Sequence, residues 1–213
     1  MSEMQSMVWS GNKKKIARQE TIINQYRKIY NRHSIPQDKQ YWTMCGDISD
    51  KNGNINQDSE YSQIIQEKLI MPNQFRGVEI DKDIYDNNIN VLPNVDFYND
   101  DFFKTINRQA NQHQFNPAIV NADLINMPEE GAKNISKIIA LLSNTPGEIM
   151  LVCNVCIKLR HRRYSIDDFL INLKNQHKFN AFKHNWNFNN ECYKYAGNRE
   201  HSRTSMGSYI FWK

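Results

Sequence analysis

Apolar and polar positions alternate along this chain with two periods, and the changes of period mark its elements. Between residues 11 and 32, Ile16, Ile22, Ile23, Tyr26, Ile29 and Tyr30 recur at mostly helical spacing, while Lys13, Lys14, Lys15, Arg18, Arg27, Lys28 and Arg32 populate much of the rest. The spacing predicts an amphipathic helix with a basic face, which residues 34–39, with Pro36, bring to an end. Residues 40–46, QYWTMCG, are strand-like and stop at a lone glycine, and a polar loop follows through Gln57. Asp58 and Ser59 then offer caps to a helix over 60–69 whose Tyr61, Ile64, Ile65 and Leu69 line one side, and Pro72 ends it. FRGVEID, residues 75–81, reads as a short strand closed by an acid, with a helix over 82–89 behind it. VDFYNDDFF, residues 95–103, repeats the arrangement: a few strand residues, then Asn99, Asp100 and Asp101, then two aromatics.

In FNPAIVNADLINMP, residues 115–128, a proline introduces a strand over 118–123. Its apolar part, Ala118-Ile119-Val120, runs into a polar stop at Asn121, Ala122 and Asp123, and a loop leads to the helix signal Pro128-Glu129-Glu130. The helix over 129–144 carries Ala132, Ile135, Ile138, Ile139 and Leu142 on one face, and Pro146-Gly147 turns the chain. EIMLVCNVCI, residues 148–157, is the continuous apolar run expected of a strand covered on both sides. Behind it comes KLRHRRY, residues 158–164, the densest basic cluster of the chain. Ser165 opens a helix with Asp168 in a capping-box position and Ile166, Phe169, Leu170 and Leu173 as its apolar side. Two strands, 192–196 and 208–212, close the chain, joined by a polar loop long enough for an antiparallel connection. This alternation predicts a three-layer α/β sandwich around a mostly parallel sheet.

Length and composition narrow the picture. The 213 residues suit one domain with an appendage, and the absence of a long apolar run or a signal-like start makes the expectation a cytoplasmic protein without membrane contact. Cys153 and Cys156 are spaced like a metal pair, but on a strand their side chains point to opposite faces, so they and Cys45 and Cys192 read as buried thiols and no metal is expected.

The net charge is only +4, and its placement carries more information. In a parallel sheet the carboxyl ends of the strands share one rim, which is where open α/β sheets bind ligands. That rim would bring Asp123 together with Lys158, Arg160, His161, Arg162 and Arg163, and the last loop adds Arg199, His201 and Arg203. Six firm positive charges beside an acid suit a phosphate backbone, the alternative being a solvated surface cluster. Asp123 itself reads either as a site acid or as a loop acid capping the next helix. Glu79, at the end of its strand, can accept both hydroxyls of a ribose.

With these residues in view, the chain over roughly 40–213 resembles the class I S-adenosylmethionine-dependent methyltransferases. Cys45-Gly46-Asp47 falls where that family has its glycine-rich cofactor loop. Glu79 in GVEID matches the acid that binds the ribose hydroxyls, with Ile80 beside it. Asp101 in NDDFF matches the aspartate at the adenine amino group, with Phe102 beside the ring. Asp123 in NADLIN matches the leading acid of the catalytic motif that in amino-methyltransferases reads Asp-Pro-Pro-Tyr or similar. The departures are a single glycine in the first motif, Leu124 and Ile125 where prolines would stand, and Asn126 where an aromatic would stack on the target base. Tyr164 or Trp186 would then have to supply the stacking, unless both are core aromatics.

The resemblance implies a seven-stranded Rossmann-like sheet with an antiparallel C-terminal strand in residues 40–213, preceded by a basic helical extension in 1–39. It implies S-adenosylmethionine as cofactor, with Cys45, Gly46, Glu79, Ile80, Asp101, Phe102 and Asn121 in contact, and Asp123 and Asn126 as catalytic residues. The expected acceptor is nucleic acid, an adenine amino group in DNA being favoured, with Lys158, Arg160, Arg162, Arg163, Arg199 and Arg203 on its backbone. A duplex base would have to be flipped out. RNA methylation on ribose or base stays open, as does a catalytically silent nucleic-acid-binding protein of the same fold; a small-molecule acceptor is disfavoured by the basic rim.

Overall fold

The computed structural model describes residues 11–124, 128–159, 162–163, 186–196 and 205–213. The chain opens with a continuous helical segment made of α1 (Gly11–Arg18), a π-helical turn over Gln19–Ile23, and α2 (Asn24–Tyr30). The Thr21 hydroxyl donates back to the Ala17 carbonyl at 2.8 Å where the helix widens, a contact that competes with the ordinary backbone ladder. Asn31, in the left-handed region at φ 50°, ends the segment.

Five strands follow in parallel: β1 (Gln40–Met44), β2 (Phe75–Glu79), β3 (Asp96–Asn99), β4 (Pro117–Leu124) and β5 (Met150–Leu159). A two-residue strand, β6 (Arg162–Arg163), folds back antiparallel on the end of β5. The chain closes with β7 (Asn187–Ala196) and β8 (Ser205–Trp212), and β8 inserts antiparallel between β5 and β7. Among the described residues the order is β3-β2-β1-β4-β5-β8-β7, with β6 off this path. The sheet expected from the sequence is therefore present, seven strands in line and antiparallel only at β8.

The helices between the strands are α3 (Glu60–Gln66), α4 (Lys82–Val91), α5 (Phe102–Asn111) and α6 (Pro128–Ser143). Ser59, Asp81 and Asp101 cap the first three, each side chain accepting from backbone N–H groups of the first turn. None of these helices, among the described residues, is long and apolar enough to cross a membrane.

Side-chain alternation divides the core into two layers. Trp42, Val120, Ala122, Leu124, Leu151, Cys153, Tyr209 and Phe211 face α5 and α6, where Phe102, Ile106, Ile135, Ile138, Ile139 and Leu142 meet them. Tyr41, Ile119, Met150, Val152 and Ile210 face the other way, onto Ile22, Ile23 and Tyr26 of the N-terminal helix and Tyr61 and Ile64 of α3. The first helix thus contributes to the central core, each fully buried aliphatic side chain adding on the order of 1.5–3 kcal/mol.

Three elements differ from the sequence expectation. Helix α5 is an addition, since no helix was expected after Asp101. The polar stretch at Asn121 does not stop β4, which runs one residue beyond Asp123 in register with β5 through the pair Leu124 and Val155. Strand β7 starts at Asn187, five residues before the expected start, because NFNN pairs with β8 across a bulge between Asn189 and Tyr193. The expected helix at Ser165, with Asp168, lies outside the described residues.

Candidate active site

Strand β1 delivers the first part of the site. It ends at Met44, and Cys45 to Asp47 turn away from the sheet with Gly46 at φ +58°, a conformation that side chains disfavour. A Cβ added to Gly46 would meet nothing within 4 Å, so the turn borders open space. Strand β4 delivers the second part. Because its alternation persists past Val120, Asn121 and Asp123 point to the α3 face, and Asn154 on β5 stands directly across from Asp123.

These side chains meet in a cleft of about 100 Å³ lined by Ala17, Arg18, Thr21 and Ile22 from the N-terminal helix, Met44, Cys45 and Gly46 from β1 and its turn, Glu60 from α3, and Asn121, Asp123 and Asn154 from the sheet. The π-helical turn forms one wall. Glu60 is the hub: its Oε1 accepts from the Tyr41 hydroxyl at 2.8 Å, and its Oε2 accepts from Asn121 Nδ2 at 3.0 Å. Arg18 Nε lies 3.7 Å from the same Oε2. Behind Asn121 a chain of donors crosses the sheet, with Asn154 Nδ2 donating to Asn121 Oδ1 at 3.2 Å and the Ser208 hydroxyl donating to Asn154 Oδ1 at 2.6 Å. Each amide is thereby oriented, which fixes what the cleft presents to a ligand. Burial, and after it the Glu60 charge, raises the Tyr41 phenol well above its ordinary range, so it serves Glu60 as an O–H donor.

The remaining acids lie along the same rim. Glu79 closes β2, one Oε1 accepting from the Asp81 N–H at 2.9 Å, and the Asn99 side chain donates to the Glu79 and Ile80 carbonyls. The Cys45 N–H donates to the Val78 carbonyl at 3.2 Å, which sets Glu79 beside the β1 turn, and burial first, with the Glu79 charge second, pushes the Cys45 thiol far up. Ile80 is 73% exposed, an apolar side chain standing in water at the rim. Asp101 follows β3 and caps α5 through Lys104 N–H at 3.0 Å. Phe102 departs from expectation: it is 3% exposed and belongs to the core, so its ring is committed to packing and only its backbone can serve a ligand. Trp186 is likewise a core residue, its indole N–H donating to Ser143 Oγ at 3.0 Å, and provides no stacking surface.

Of the expected site residues, then, Cys45, Gly46, Asn121 and Asp123 share one cleft, and Glu79, Ile80 and Asp101 continue the rim across β2 and β3, outside the cleft lining. Lys158, Arg162 and Arg163 lie past the carboxyl end of β4, on the hairpin of β5 and β6, with Lys158 opposite Arg163. Asn126, Arg160, Tyr164, Arg199 and Arg203 lie outside the described residues. Arg18 and Glu60 escaped the sequence reading, because a helix's basic face and a first-turn acid both have ordinary surface explanations.

The parallel order, the inserted antiparallel strand and the cleft at the strands' carboxyl ends have counterparts among solved structures. The plantazolicin methyltransferase BpumL in complex with SAH superimposes with a TM-score of 0.54 at 9% identity, covering 93% of this chain and 83% of that one. TYW2 of M. jannaschii in complex with AdoMet gives a TM-score of 0.50 at 12% identity, covering 98% and 78%. The fold is that of the S-adenosylmethionine-dependent methyltransferases. At such identities the likeness concerns the methyltransferase fold and not the chemistry of this chain. No protein-family model matches the chain, and no curated protein matches it.

Proposed function

We propose that the protein is an S-adenosylmethionine-dependent methyltransferase acting on nucleic acid. The observation that carries this reading is the cleft itself, which sits at the carboxyl ends of β1 and β4 and combines an open glycine turn with one cation and two acids. The donor set fits the cofactor. Arg18 suits its α-carboxylate, Glu60 suits its α-ammonium, Glu79 suits the ribose hydroxyls, and Asp101 with the exposed Ile80 suits the adenine. When bound, the cofactor supplies an electrophilic methyl group on a sulfonium.

The chain's own residues then have one task, to hold the acceptor atom in line. Asp123 accepts a hydrogen bond from the acceptor's N–H and orients its lone pair, Asn126 is assigned the assisting role, and most of the rate gain comes from that orientation. The acceptor is assigned to nucleic acid because the β5–β6 hairpin, which lies past the carboxyl end of β4, carries Lys158, Arg162 and Arg163 in its sequence. Lys158 and Arg163 are backbone partners there, which groups cationic residues on one short hairpin, a composition that suits a phosphate backbone. Arg160, Arg199 and Arg203 are assigned the same phosphate-binding role, and an adenine amino group is the favoured target.

Calorimetry with S-adenosylmethionine against wild type and Glu79→Ala tests the cofactor. Heat with the wild type and its loss in the variant are expected, whereas no heat with the wild type would leave only a silent nucleic-acid-binding protein. Transfer of labelled methyl to plasmid DNA, total RNA or a metabolite mixture identifies the acceptor. Asp123→Ala is expected to abolish transfer while leaving cofactor binding in place, and activity surviving that change removes Asp123 from the mechanism.

A further inference from the structure

We infer that Asn88, on α4 and outside the cleft lining, is a positioning residue that sets the shape of the 45–48 turn and through it the affinity for the cofactor. The inference rests on the cofactor reading above and adds a residue to it. Asn88 is fully buried, at 0% exposure. Its Nδ2 donates to the Gly46 carbonyl at 2.8 Å and lies 3.7 Å from Cys45 Sγ, while its Oδ1 accepts from the Ile48 N–H at 2.9 Å. One amide therefore clamps the turn on both sides of Asp47.

The clamp matters because of what it holds. Gly46 is in the left-handed region, a conformation that a free glycine leaves as readily as it enters. The Gly46 carbonyl and Ile48 N–H also need partners once withdrawn from water. Only a side chain with an adjacent donor and acceptor satisfies both groups at once, and in Asn they are fixed in one plane. Asn88 is itself anchored, since α4 starts at the Asp81 cap, two residues beyond Glu79. The same helix thus relates the acid at the β2 tip to the turn after β1. A turn held in its binding shape before the ligand arrives leaves less ordering to be done on binding.

Calorimetry with S-adenosylhomocysteine on wild type, Asn88→Ala and the near-isosteric Asn88→Asp, with circular dichroism and thermal unfolding alongside, tests the inference. The expected result is a Kd raised about tenfold to a hundredfold in variants that keep the wild-type helix content. Ile106→Val, a core change distant in sequence from the turn, is expected to keep the wild-type Kd despite its own loss of Tm. Folded Asn88 variants that bind like the wild type, or an Ile106→Val protein that weakens as much, overturn the proposal. A readout on the unaltered protein stands beside these: the Ile48 amide is expected to exchange slowly with solvent in the ligand-free state, and unprotected exchange there overturns the clamp even if no variant folds. No heat with the wild type removes the cofactor reading, while heat with the wild type and unchanged folded variants removes this inference alone.

Discussion

Arg18, on the helix before the first strand, lies 3.7 Å from the carboxylate of Glu60, on the helix after it, and the two side chains are only 16% and 11% exposed. Glu60 also takes the Tyr41 and Asn121 donors, so one acid ties two helices to two strands. Glu60→Ala leaves three donors without it and is expected to cost about 3 kcal/mol, read as a lower urea midpoint with unchanged slope. Arg18→Met, which leaves Glu60 two donors, is expected to cost about 1 kcal/mol and to weaken S-adenosylmethionine binding by more than that loss explains. Equal effects of the two changes on stability would contradict the hub role of Glu60.

Gly77 has a different reason for being glycine. A Cβ there would lie 2.6 Å from the Phe97 ring and 2.9 Å from Cys45 Sγ, with β2 packed against its neighbours on both sides. Gly77→Ala is expected to destabilise the fold by about 1–3 kcal/mol through overpacking, measured by denaturant titration. A neutral result would mean that Phe97 turns aside freely.

The alkaline limb of stability follows from buried weak acids. Burial raises the Cys153 thiol, and burial with the nearby Glu79 charge raises Cys45, both from an ordinary 9.0, while burial raises the Tyr41 phenol from 10.0. As pH climbs, the unfolded chain releases these protons first, which favours unfolding. Stability is therefore fully present below about pH 9 and declines above it, with urea midpoints between pH 7 and 11 as the check. Alkylation mapped by mass spectrometry adds a local reading. Cys45 is expected to resist iodoacetamide in the folded protein, and Glu79→Gln, by removing a negative neighbour, is expected to speed its modification.

For the basic hairpin the measurable quantity is salt dependence. Replacing Arg162 and Arg163 by Gln is expected to weaken DNA and RNA binding across sequences and to reduce the slope of log K against log salt by roughly two. A slope that does not change takes these residues off the phosphates.

Much of the architecture is readable before any coordinates, because apolar runs such as 148–157 and the helix face of Ile135, Ile138, Ile139 and Leu142 carry an unbroken period. The failures have particular causes. Helix α5 buries Phe102, Thr105, Ile106 and Gln109 at helical spacing, but two of those four are polar and interrupt the apolar stripe. Asn121 and Asp123 look like the end of a strand because they are hydrophilic, yet they sit within β4, where a polar cleft replaces the apolar cover. The asparagines of β7 read as loop for the same compositional reason. Glu60 and Asn88 leave no trace in a single sequence, since their roles depend on partners 19 to 61 positions away.

The run of polar side chains from Ser208 through Asn154 and Asn121 to Glu60 crosses a region where neighbouring strand positions are filled by aliphatics. A designer seeking heat tolerance would be drawn to it, since exchanging all four, together with their partners Tyr41 and Arg18, for hydrocarbon groups of matching size is expected to raise the melting point. The product would be a sturdier scaffold with nothing left to recognise, which makes this seam a place where durability and work pull in opposite directions.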